Sequence, residues 1–102
     1  MKVINATLSD VFKRFLECLK GERNITTEKE MLEFKSSYFA MHLLVPTDSF
    51  MKHVENMGGL DEVKFDYDKR HALARIFLVD DRLIEAKIYD IEYKNYMENK
   101  TL

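Results

Sequence analysis

A chain of 102 residues with 46% hydrophobic content, three glycines and one proline has material for one packed core, and it is neither a disordered segment nor a repeat array. Sixteen basic residues against 18 acidic ones leave a net charge of −2, which lacks the basic footprint of a phosphate-backbone binder. Cys18 is the sole cysteine, so an internal disulfide is excluded and a reducing, cytoplasmic setting is expected; no stretch reaches the roughly 18 apolar residues of a membrane span.

In the first segment Leu8, Val11, Phe12, Phe15, Leu16 and Leu19 recur at three- and four-residue steps, with Asp10, Lys13, Arg14, Glu17 and Lys20 between them. This spacing predicts an amphipathic helix that stops near Gly21. Thr27 followed by Glu30 has the form of a capping box, which starts a second helix at about Glu28 and carries it to Leu44. Met31, Phe34, Tyr38 and Met41 form its apolar stripe. Leu32, Phe39 and Leu43 lie beside that stripe, so the helix is expected to be central and Phe39 to be buried.

Pro46 removes an amide and restricts Val45, which ends that helix at a corner. Thr47 is then the expected cap of a short third helix bearing Phe50, Met51 and Val54, and the glycines of "NMGG" close it. A loop is expected through Leu60 and Phe65. Asp66 is the candidate cap of a fourth helix with Leu73, Ile76 and Phe77 inward, and Asp80 of a fifth with Leu83, Ile84, Ile88 and Ile91 inward. The polar tail 94–102 is expected to fray. The fold class is therefore mainly α, a single compact domain of about five helices whose last two resemble a helix-turn-helix.

Chemistry-bearing motifs are scarce. His42, His53 and His71 are never three or four residues apart, so no one helix offers two imidazoles to a metal. Cys18 follows Glu17, a neighbour that disfavours a thiolate. "MGGL" lacks the spacing of a phosphate loop, and "DEVKFDYD" lacks the alternating oxygens and central glycine of a calcium loop. The segment 71–91 has helix-turn-helix spacing, yet Asp80 to Glu92 holds five acidic residues against Arg82 and Lys87, and Leu78 stands where glycine is common.

Two segments in order, "FAMHLLVPTDSF" and "LARIFLVDDRLIEAKI", resemble the ImmA/IrrE-type zinc metallopeptidases of bacteria and their mobile elements. The likeness spans about 30–93. In that family an HExxH helix supplies two zinc ligands and the general base, and a glutamate four residues before the F-A pair supplies the third ligand. Here that position is Lys35, whose ammonium has no lone pair to give, and no histidine precedes His42. The resemblance thus implies an inherited scaffold without zinc or any other cofactor and without peptidase activity. It further implies action through a protein partner, such as a regulator of a phage or mobile element, with a homo-oligomer allowed. The alternative from the residues is a DNA-binding regulator using 71–91, against which the charge of the last helix argues. No membrane partner is expected.

Overall fold

The computed structural model describes residues 2–101, with side chains from Asp10 to Lys100, so Leu8 lies outside the described side chains. All regular structure among the described residues is helical: α1 (Lys2–Leu19), α2 (Glu28–Leu44), α3 (Thr47–Asn56), α4 (Leu60–Lys64), α5 (Tyr67–Phe77) and α6 (Asp81–Thr101). The mainly α single domain expected from the periodicity is present.

Local chemistry explains most of the boundaries. The Thr27 side chain accepts from the Glu30 amide at 3.1 Å and Glu30 Oε1 accepts from the Thr27 amide at 3.1 Å, so the capping box is formed at both ends. The hydroxyls and amides of Thr26 and Thr27 crowd Glu30 and hold its carboxyl below the ordinary range, the Thr26 hydroxyl contributing most. Asp66 caps α5 by accepting from the Lys69 amide, and the Asp80 carboxylate accepts from the Arg82 amide at 2.8 Å where α6 begins. Three helices end on the same device, a left-handed residue whose successor reaches back five positions: Gly21 after α1, Gly58 after α3 and Leu78 after α5. Glycine takes that conformation without strain. Leu78, at φ 57°, does not.

α6 is the central post. α1 and α5 pack on it most extensively, and α2 closes over both α1 and α6. Phe15, Met41, Val45, Phe50, Val54, Val63, Leu73, Leu83 and Ile84 form the dry centre. Phe15 meets Phe34 and Tyr38 at centroid distances of 5.3 and 6.3 Å, which joins α1 to α2 through edge-and-tilt aromatic contacts.

Five expectations are corrected. Phe39 is 69% exposed and Leu43 and Leu32 are as open, because α2 turns Phe34, Tyr38 and Met41 toward Phe15 and α6 and leaves the opposite stripe outside. Ile76 also faces out, since Leu73 and Ala74 occupy the α5 seam. The 60–65 loop contains the short helix α4, whose Val63 fills the core. Thr47 is the first residue of α3 and Pro46 its cap, without a side-chain capping bond because the proline ring has no acceptor; the Thr47 hydroxyl instead accepts from Lys87. The tail 94–102 is helical as far as Thr101, for no glycine or proline interrupts α6.

Candidate functional site

At the corner, Val45 takes φ −129° and ψ 74°, its amide still bonded to the Met41 carbonyl at 2.9 Å, and the Phe50 amide restarts the ladder on the Pro46 carbonyl. Val45 and Phe50 are fully buried on either side of Pro46, so the bend is anchored by apolar packing. A polar element reinforces it from α6. Lys87 is completely enclosed; its Nζ donates to Thr47 Oγ1 at 2.8 Å and stands 3.3 Å from His42 Nδ1. One ammonium therefore grips the last turn of α2 and the first residue of α3.

An ammonium has only donors, so His42 Nδ1 is the acceptor and the ring carries its proton on Nε2. That nitrogen faces Asp90 Oδ2 at 3.6 Å, too long for a hydrogen bond. Asp90, three residues beyond Lys87 on the same helix, is 5% exposed; its Oδ1 accepts from the Tyr38 hydroxyl at 2.9 Å. Lys94 Nζ lies 3.1 Å from Oδ2, but without the angle of a hydrogen bond, so this buried oxygen has charged neighbours and no donor aimed at it. Tyr38 packs against His42 with the rings tilted at 57° and 4.7 Å between centroids, and it carries the Lys94 ammonium 5.7 Å above its ring.

The electrostatics follow from this enclosure. Burial pushes the Lys87 ammonium down, against a smaller upward pull from Asp90. Burial likewise lowers His42, with Lys87 and Lys94 adding to the effect and Asp90 opposing it. Tyr38 is raised by burial and then by its bond to Asp90. For Lys94 burial is the largest single influence and acts downward, yet the nearby Asp90 carboxylate and Tyr38 hydroxyl together outweigh it and the group ends raised.

The cluster is flanked by two grooves of about 370 Å³ each. One runs between Cys18, Phe34, Tyr38 and Tyr93 with Asp90 and Lys94 at its side. The other is almost wholly apolar and follows α2 between Tyr38 and Phe39, with His42 and Lys35 at its edges. Lys87, having no exposed surface, cannot present its amine to a substrate as a nucleophile. The arrangement is suited to holding helices in register.

The other sequence candidates fall in different places. His53 lies edge-on to Phe77 at 5.6 Å, and His71 bonds Asp81 at 3.0 Å while stacked on Tyr67, tying α5 to α6. Among the described residues no three His, Cys, Asp or Glu side chains converge as a metal site would require. Lys35 is exposed on α2 beside the apolar groove. Burial holds the Cys18 thiol above its ordinary range. In the segment 71–91, Leu78 to Asp80 form the turn, but Leu83, Ile84, Ala86, Lys87 and Ile88 of the second helix are all buried. No helix among the described residues is long and apolar enough to cross a membrane.

Lys87 and Asp90 were not among the residues the sequence singled out. A signal existed: Lys87 sits three residues after Ile84 and four before Ile91, at a core position of the α6 stripe, where a cation must find partners or be expelled. Comparison with protein-family models, curated proteins and solved structures gave no match.

Proposed function

We infer that the chain is a non-catalytic helical module that acts in the cytoplasm by binding another protein, with the outer face of α2 as its docking surface. The observation that carries this reading is the pair of opposed apolar stripes on α2. Phe34, Tyr38 and Met41 face the core, while Leu32, Phe39 and Leu43, 67%, 69% and 66% exposed, line the opposite side, 11 residue steps separating the first from the last. At 1.5 Å per residue that stripe is about 16 Å long, the span of three turns that a partner helix or groove engages. A surface helix normally carries charge on its outer face, and contiguous exposed apolar side chains mark interaction sites.

The likeness of "FAMHLLVPTDSF" to the ImmA/IrrE-type segment supports the same reading. By that likeness the corner belongs to an inherited scaffold, with Lys35 at the position of that family's third zinc ligand. On that likeness the partner is a regulatory protein of a phage or mobile element. The DNA-binding alternative finds less support, because the half of α6 that would enter a groove is packed inside the domain and its remaining surface is acidic.

The test is affinity capture from the native cell with wild type and a Leu32→Ser/Phe39→Ser variant, both first shown to have the same helical circular dichroism. A partner bound near stoichiometrically by the wild type and lost from the variant supports the reading. An identical bound set for the two proteins, or sequence-selective retention of DNA at physiological salt, overturns it.

A further inference from the structure

We propose that the α2–α3 corner is a proton-sensitive hinge, locked while His42 is neutral and released when His42 takes up a proton. The lock is the bond from the Lys87 ammonium to His42 Nδ1 at 3.3 Å, coupled to its bond with Thr47 at 2.8 Å. Protonation puts a hydrogen on Nδ1, and Lys87 offers no acceptor for it. Two cations then face each other where one donor met one lone pair.

The groups around the ring decide whether anything offsets this. Among the described residues, the ring meets Lys87, Asp90 and Lys94 from α6; from its own helix it meets Tyr38, tilted against it at 4.7 Å, with Lys35 along the shared groove; from α3 it meets the Thr47 hydroxyl, through Lys87. Among the described residues Asp90 is the sole carboxylate facing the ring. It lies 3.6 Å from Nε2, farther than Lys87 is from Nδ1, and its charge is already shared by Lys94 at 3.1 Å and the Tyr38 hydroxyl. The cations prevail at close range. The lowered affinity of His42 for a proton agrees in sign.

Linkage sets the pH window. The unfolded or released chain takes the proton near the ordinary histidine value of 6.5, the locked chain only below it. The lock is therefore fully present above that value and is lost as pH falls through the lowered value of the folded state. The parts set free are the last turn of α2 and the first turn of α3.

Hydrogen exchange of two amides reads the hinge directly: Val45, bonded to Met41, and Phe50, bonded to Pro46. Protection factors corrected for intrinsic exchange are measured from pH 8 to pH 5, alongside the ring signals of all three histidines. Wild type should lose protection at both amides in step with the His42 titration, by at most about tenfold per pH unit for one proton. His42→Gln keeps an acceptor without a titrating ring and should hold protection constant across the range. In Lys87→Met, should the glutamine variant not fold, the His42 titration should move up toward its ordinary value and the acid loss disappear. Constant protection in wild type while His42 titrates, or an equal acid loss in either variant, overturns the proposal.

Discussion

Truncating Phe39 and Phe50 to alanine separates the two faces of the corner. Complete burial of a phenylalanine side chain stabilises a fold by about 1.5–3 kcal/mol. Phe39 is 69% exposed, so less than a third of that is at stake, about 0.5–1 kcal/mol. Alanine's better helix propensity returns up to about 0.7 kcal/mol, which brings Phe39→Ala to within roughly 0.5 kcal/mol of wild type. Phe50 has no exposed surface and meets Phe77 at 6.0 Å, so Phe50→Ala removes a buried ring and leaves a cavity, at about 3–5 kcal/mol. For a domain whose whole stability is about 5–15 kcal/mol, that second loss lowers the melting temperature by about 12 °C or more. Thermal and urea melts of dilute protein, followed by far-ultraviolet circular dichroism, measure both. A Phe39→Ala loss beyond about 2 kcal/mol would mean that something covers Phe39 in solution, and the assignment of α2's outward stripe would fall.

Leu78→Gly should stabilise the protein by about 0.5–1 kcal/mol, because it relieves a left-handed leucine that is 89% exposed and packs on little, less the extra chain entropy of glycine; a urea midpoint at or below wild type refutes this. Thr27→Ala removes the hydroxyl that accepts from the Glu30 amide, while Thr26 and the Thr27 amide still hold the Glu30 carboxylate, and should cost about 0.5–2 kcal/mol in the same assay. Cys18, its thiol held up by burial, should react with iodoacetamide at pH 7.5 more slowly in the native protein than in denaturant; equal rates would place it in open solvent.

What the sequence made legible is what depends on neighbours along the chain. The capping box needs only Thr27 and Glu30 three residues apart, Asp66 needs only the amide of Lys69, and Pro46 stops α2 by itself. The direction in which α2 points could not be read this way. Apolar residues surround it, so its periodicity names two opposite faces, and the choice is made by Phe15 and α6 from elsewhere in the chain. α4 escaped because five residues are too few to show a period, and its Val63 reads as isolated until the core closes around it. The residues 94–101 read as a frayed tail from their polarity alone, whereas Lys94 pairs with Asp90 one turn back and extends the helix.

The hardest feature to read was the lysine at the centre. A methionine at position 87 would fill similar space without desolvating a charge, and buried ionic groups are often replaceable at no loss of stability. What the lysine adds is direction. An apolar side chain tolerates sliding of α2 and α3 over α6, since any greasy contact serves about as well as another. The Lys87 ammonium finds acceptors only where Thr47 Oγ1 and His42 Nδ1 stand together, and those two atoms belong to opposite arms of the Pro46 bend. Packing at Val45 and Phe50 supplies the strength of the corner, and Lys87 selects one angle for it. That division of labour explains why the same residue makes the corner sensitive to a proton: an interaction chosen for its direction fails abruptly when one acceptor is lost, whereas the surrounding apolar contacts yield gradually.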